Sequence, residues 1–314
     1  YFGSASGLAT SAAWTAEGNQ VNAFFASSLA TAGDVNGDGY SDVIVGAVDY
    51  DNGELDEGRA SVYLGSAAGL ATTAAWTAEA DQALAHLGSS VAPAGDVDGD
   101  GYSDVIVGAY RYDNGQAEEG RAFVYLGSSA GLAASAAWMA ENDEADSLFG
   151  SSVASAGDVN GDGYGDVIVG ALQFGNGQPD EGRAYAYFGS ASGLATSAAW
   201  TAEGDQVNAF FGSSVATAGD VNGDGYADVI VGSSGYDNGQ TDEGQAFLYL
   251  GNEGRGGWTL AAQQRRSNDL TPIDLLGRSS SPLSFRIQLA FEQSLAGFSW
   301  ASPATPVARL EWQV

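Results

Sequence analysis

The sequence predicts an all-β fold: a β-propeller of four-stranded blades, with a small β-rich appendage at the C-terminal end. Three observations carry this. One unit occurs four times, because the segment that begins at Gly33-Asp34 returns at Gly95-Asp96, Gly157-Asp158 and Gly219-Asp220, a step of 62 residues each time. Each unit holds short apolar or alternating runs separated by Gly, Asn and Asp, the residues that turns require. No window has a convincing helical apolar period. Four strands in about 60 residues, repeated, make propeller blades. A β-solenoid has shorter coils, and a string of β-sandwiches needs more strands per unit.

The first unit shows the elements in order. Ala26–Gly33 alternates small apolar with polar residues. Asp42–Ala47 carries Val43-Ile44-Val45, a β-branched run suited to an inner strand buried on both faces. Gly58–Gly65 alternates again, and Leu70–Ala78, with Trp76, reads as a weaker outer strand. The copies are close. Tyr1–Tyr40 and Tyr187–Tyr226 differ only at Asn19/Asp205, Ala26/Gly212 and Leu29/Val215, which points to recent duplication and to further units upstream of Tyr1.

Between the first two strands lies Asp34-Val-Asn36-Gly-Asp38-Gly-Tyr40-Ser-Asp42. Oxygen side chains stand at positions 1, 3, 5 and 9, Gly39 permits a sharp turn, and the Tyr40 carbonyl serves at position 7. This spacing wraps a loop around one hard cation. The second copy offers Asp96, Asp98, Asp100, Tyr102 and Asp104. The third offers Asp158, Asn160, Asp162, Tyr164 and Asp166, and the fourth Asp220, Asn222, Asp224, Tyr226 and Asp228. The start resembles an EF-hand loop, but position 12 is Val45 rather than Glu and no helices flank it. One such loop alone could be a solvated acidic turn; four at one spacing would crowd carboxylates that repel unless a cation joins them. Oxygen-only donors point away from zinc and copper, and magnesium demands tighter octahedral geometry, so the expected cofactor is calcium, at four sites.

Charge divides the chain. Of 40 acids and 10 bases, residues 1–250 hold 35 acids and four Arg, whereas residues 251–314 hold five acids and six Arg. The boundary near Gly251 separates the repeats, 1–250, from the appendage, 251–314. So acidic a body repels nucleic-acid phosphates, which excludes nucleic acid as a partner. Cys is absent, which removes disulfides and thiol chemistry. No run of about 18 apolar residues occurs, so no helical membrane span is expected.

The units resemble FG-GAP repeats, the blades of the integrin α-subunit propeller and of many bacterial surface proteins. The name-giving pieces stand as Phe149-Gly150 and Phe211-Gly212, and as Gly46-Ala47, Gly108-Ala109 and Gly170-Ala171. Departures are Phe25-Ala26, Leu87-Gly88 and Gly232-Ser233, and Pro is missing from every Gly-Ala. The resemblance implies a calcium-binding propeller, a role in protein–protein adhesion, and an extracellular or cell-surface setting of secreted bacterial type. It also implies that ligands engage the face opposite the acidic loops. That face carries Tyr50-Asp51-Asn52-Gly53 with Glu57-Gly58-Arg59 and the counterparts Tyr112–Arg121, Phe174–Arg183 and Tyr236–Gln245. A plainer reading has Tyr50 and Glu57 brace the blade, Glu57 pairing with Arg59. Some fungal lectins share such propellers, which keeps glycans open as partners, with Tyr50 and Asn52 the only candidate platform.

Enzymatic readings lack parts. There is one His, His86, no Lys, and no G-x-S-x-G elbow followed by an acid and His. His86 replaces an aromatic position occupied by Phe24 and Phe210, and Trp14, Trp76, Trp138 and Trp200 recur as outer-strand packing. In the last segment Leu283–Phe291 and Val307–Val314 alternate as strands, and Trp258–Ala261 could complete the fourth blade. Residues 3–16 read as a fourth strand lacking its three predecessors. The expectation is a piece of a longer array, or a subunit that self-associates by adding its terminal strand to another sheet, over the alternative that this strand joins the fourth unit and closes a four-bladed ring.

Overall fold

The structure is a computed structural model that describes residues 8–251, 259–265, 286–292 and 308–310. Its described strands fall into three complete four-stranded sheets and two of three strands. Unit 1 comprises β1 (Phe25–Gly33), β2 (Asp42–Ala47), β3 (Arg59–Tyr63) and β4 (Trp76–Glu79). Unit 2 repeats this as β5 (Leu87–Gly95), β6 (Asp104–Ala109), β7 (Arg121–Tyr125) and β8 (Trp138–Ala140). Unit 3 is β9 (Phe149–Gly157), β10 (Asp166–Ala171), β11 (Arg183–Tyr187) and β12 (Trp200–Glu203). Unit 4 is β13 (Phe211–Gly219), β14 (Asp228–Ser233) and β15 (Gln245–Tyr249). All pairs within a sheet are antiparallel and consecutive, the meander of a propeller blade.

The run Val43-Ile44-Val45 becomes β2 because it is flanked on both edges, by β1 (Leu29 opposite Val45) and by β3 (Val43 opposite Tyr63). Units stack through these inner strands: β1 neighbours β5, β5 neighbours β9, and β9 neighbours β13. Three apolar clusters follow, each shared between successive units. Ile44, Ala60 and Val62 of unit 1 pack on Val105, Val107 and Phe123 of unit 2, and the pattern continues to Phe211, Val229 and Val231 of unit 4. The Phe-Gly and Gly-Ala pieces form the same seams. The Leu87 N–H donates to Glu57 O (2.9 Å), as Phe149 does to Glu119 and Phe211 to Glu181. A Cβ on Gly46 would meet the Gly88 carbonyl oxygen at 1.9 Å, so only glycine lets the two backbones approach.

Among the described residues unit 4 has no next unit packed on it. The face that units 1 to 3 bury against the next unit is part-exposed on unit 4, where Ile230 is 37% exposed and Leu248 49%. The outer strands are shorter than expected: β4 begins at Trp76, not near Leu70. Each outer-strand Trp packs edge-on against the Tyr of the following unit, Trp76 on Tyr125 (4.7 Å), Trp138 on Tyr187 (4.8 Å) and Trp200 on Tyr249 (4.7 Å).

Two expectations are corrected. Residues 8–16 form no strand. Instead Trp14 lies on Tyr63 (5.0 Å) and its indole donates to Ala71 O (2.8 Å), the same pair of contacts that Trp76 and Trp138 make on a following unit. Residues 1–7 lie outside the described residues. At the other end, β16 (Thr259–Arg265) does not complete unit 4. It pairs with β17 (Arg286–Glu292), which pairs with β18 (Ala308–Leu310) in a separate sheet; Trp258 lies outside the described residues. The seven-residue register from Thr259–Glu292 to Arg265–Arg286 offers that strand more ladder than the edge of the five-residue β15.

Candidate metal centres

Each acidic loop leaves the end of a unit's first strand and returns at the start of its second. In loop 1 the Asp34 carboxylate accepts the N–H of Asp38 (3.1 Å) and of Gly39 (2.8 Å). Asn36 accepts from Asp38 N–H (3.1 Å), and Asp38 accepts from Tyr40 N–H (3.0 Å). Gly37 and Gly39 both take positive φ, 70° and 87°, which curls the side chains at positions 1, 3 and 5 toward one point. The bonds recur around Asp96, Asp98 and Asp100, around Asp158, Asn160 and Asp162, and around Asp220, Asn222 and Asp224.

Position 9 has a second job. Asp42, Asp104, Asp166 and Asp228 are fully buried. Asp42 accepts from Val35 N–H (2.9 Å) within its loop and from Gly65 N–H (2.8 Å) beyond β3, and the other three accept the equivalent pairs. This carboxylate therefore ties the loop to the third strand of its own blade. Burial pushes Asp104 up to about 7 and Asp166 up to about 6, and raises Asp42, against backbone N–H bonds that pull the other way. Neighbouring loop acids add to the rise: Asp34 and Asp38 on Asp42, Asp158 and Asp162 on Asp166, and Asp96 and Asp98, at positions 1 and 3, on Asp104.

The loops also join units. Ser103 N–H donates to Asp34 O (3.0 Å), Gly165 N–H to Asp96 O (2.7 Å) and Ala227 N–H to Asp158 O (2.9 Å). The Tyr102 ring lies against Gly37, where a Cβ would sit 2.6 Å from it, and Tyr164 and Tyr226 lie against Gly99 and Gly161. Sequence reading placed Tyr40, Tyr102, Tyr164 and Tyr226 only as carbonyl donors. The rings' role was missed because the contact spans two units, 65 residues apart. The donor types suit a hard cation, since the loop side chains offer carboxylates and an amide but no imidazole or sulfur. In loop 2, where Asp98 stands in place of Asn, oxygens of Asp96, Asp98 and Asp104 lie within 4.8 Å of one another.

At the opposite end of the blade, the expected pairing of Glu57 with Arg59 is not made. Arg59 pairs with Glu79 (3.1 Å) and lies over the Tyr50 ring (4.5 Å), while Glu57 accepts from Asn52 N–H (2.5 Å). Register explains it, since Arg59 stands opposite Glu79 on β4. Tyr50 and Glu57 do brace the loop. The Asn52 amide donates to Glu79 (2.6 Å), so both parts of the candidate sugar platform are already engaged. His86 fills its aromatic slot, stacked on Tyr110 (5.2 Å) and bonded to Asp49 (2.9 Å), and shares positive φ with Phe24 and Phe210.

Comparison with known proteins places this geometry. The FG-GAP repeat model matches residues 25–63, 87–125, 149–187 and 211–249, so each match runs from the first strand of a unit to the end of its third. The chain is 36% identical over 164 residues to chicken integrin alpha-V, covering 49% of this chain and 15% of that protein. It is 35% identical over 161 residues to human integrin alpha-IIb, with 49% and 15% covered, and 34% identical over 152 residues to Xenopus laevis integrin alpha-4, with 47% and 14% covered. The matched segment is thus a small part of each relative's length. No described helix is long and apolar enough to cross a membrane. From Phe25 to Tyr249 the chain belongs to the FG-GAP repeat family, with four integrin-alpha-like repeats in tandem.

Proposed function

We propose that this chain is a calcium-stabilised structural or adhesive module that acts outside the cell or at its surface by binding protein, and that it is not an enzyme. The observation that carries this reading is the acidic loop repeated four times at one spacing, each copy tied by backbone bonds to its own blade and three of them to the next unit. Four calcium ions, held by positions 1, 3, 5 and 9 and the carbonyl at position 7, would neutralise the crowded carboxylates and lock each loop against the next. Binding to the folded state alone stabilises it by mass action, by about 1.4 kcal/mol per site at free calcium tenfold above Kd. A similarity to integrin alpha chains supports protein rather than small-molecule partners.

Self-association belongs to the same reading. Unit 4 exposes Val221, Ile230, Leu248 and Leu250, while Val35, Ile44 and Val62 at the equivalent places in unit 1 are buried by unit 2. At the other end Leu29 is exposed where Val91 and Val153 are buried. The two ends therefore offer the two halves of a unit–unit seam, and stacking of whole faces replaces the strand addition expected from sequence. Light scattering tests this: concentration-dependent growth in mass that is abolished by Ile230→Asp supports it, and a strict monomer at high concentration contradicts it. Hydrolase activity that survives EDTA would contradict the non-enzymatic reading.

A further inference from the structure

A second acidic cluster lies at the end of the blade opposite the loops. It groups Glu57, Glu79 and Asp81 in unit 1, Glu119, Glu141 and Asp143 in unit 2, and Glu181, Glu203 and Asp205 in unit 3, each with one oxygen from every residue within 4.8 Å of the others. The fold makes the cluster, because Arg59 opposite Glu79 on the β3–β4 ladder brings Glu57 beside Asp81. The first Glu of each is buried: Glu57 and Glu119 are 0% exposed and Glu181 1%. One oxygen of Glu57 accepts from Asn52 N–H, and one of Glu119 from Asn114 N–H (2.5 Å each). Their other oxygens, Oε2 of Glu57 and Oε2 of Glu119, are buried with no hydrogen-bond partner. A buried carboxylate oxygen without a partner is costly, and a bound ion is what relieves it.

We infer that each of these three clusters is a divalent-cation site, separate from the acidic loops and filled by calcium. The donors are carboxylate oxygens only, the chemistry of a hard cation. Calcium–oxygen distances of about 2.3–2.6 Å allow ligand oxygens up to about 5 Å apart, which accommodates the observed spread. Charge agrees as well. Three carboxylates stand beside one guanidinium, Arg59 on Glu79, Arg121 on Glu141 and Arg183 on Glu203, and the surplus of two negative charges matches one divalent ion. Asp81, Asp143 and Asp205 are exposed and give the ion a way in. Unit 4 is an internal control: Glu243 occupies the buried Glu position but is exposed, Gln245 replaces the Arg, and β16 joins another sheet, so no cluster forms there among the described residues. The competing occupant is a proton on the buried Glu.

Equilibrium dialysis of the full chain against calcium at neutral pH tests this by stoichiometry. The E57Q/E119Q/E181Q variant binds three fewer ions per chain than the unaltered protein. The D81N/D143N/D205N variant changes only exposed side chains, keeps the fold, and shows the same loss or a tenfold or greater weakening of three sites. Calcium uptake unchanged in both variants overturns the proposal and leaves the proton as occupant; should the Glu variant not fold, the Asp variant decides alone. Failure of the loops reads differently. A chain whose loops take no ion starts at three and falls to none, whereas a chain whose clusters take none loses nothing in either variant.

Discussion

Units 2 and 4 carry nearly the same strands in different surroundings. Ile106 of β6 and Val124 of β7 are 0% exposed because β9 to β11 of unit 3 cover them; Ile230 of β14 and Leu248 of β15, at the same places in unit 4, are 37% and 49% exposed. The hydrophobic core of such a chain is thus a property of pairs of units. A single blade has two apolar faces and buries neither alone, which is the nearest-neighbour energetics of repeat proteins. The buried polar groups behave otherwise. Asp104 and Asp228 are both 0% exposed, because the bonds that hold them are made within their own blade.

The largest expected effect breaks the two units apart. Ile106→Ala should cost about 2–5 kcal/mol, the range for a buried large-to-small change, while Ile230→Ala should cost less than about 1 kcal/mol. Urea unfolding of the two variants checks this, and equal losses would mean that unit 4 is covered in solution. Next comes a change that should not separate them. Asp104→Ala and Asp228→Ala each strand two backbone N–H groups, and each should cost about 2–4 kcal/mol with calcium removed by chelator, since an unsatisfied buried donor costs about 1–3 kcal/mol. A loss seen only in calcium would show that this residue acts through the ion alone.

A smaller effect is expected from pH. Burial holds Asp104 at about 7 and Asp166 at about 6, against an ordinary value of 3.8. The folded state thus keeps protons that the unfolded chain releases, so stability falls as pH rises from about 4 through about 7. Thermal unfolding in EDTA between those limits should show the decline, and millimolar calcium should flatten it by favouring the ionised form. A rise with pH in EDTA would contradict it. The smallest change is Arg121→Gln, which makes unit 2 like unit 4 at Gln245. It removes the pair with Glu141 and the stack over Tyr112 (4.8 Å), and should cost about 0.5–1.5 kcal/mol in urea unfolding.

The repeat made most of the fold legible. Val43-Ile44-Val45 and its copies gave the second strands their exact bounds, and the turn residues bracketed the first and third. What failed was the assignment of partners. Trp258–Ala261 follows Tyr249 as Trp200 follows Tyr187, yet β16 finds a longer ladder elsewhere, and no local pattern reports ladder length. The acidic loops were readable because all their oxygen side chains lie within nine residues. The second cluster was not, because Glu57 and Glu79 are joined only by strand register. The signal was nonetheless present: Glu57, Glu119 and Glu181 each precede a Glu-x-Asp by 22 residues.

The central claim is that the four loops hold calcium, and titration calorimetry of the chain against the D34N/D96N/D158N/D220N variant tests it most directly. The account predicts sites of roughly 10⁻⁴–10⁻³ M in the unaltered chain, four of which are lost in the variant. Identical calcium uptake by the two proteins at millimolar concentration, or none by either, would contradict it.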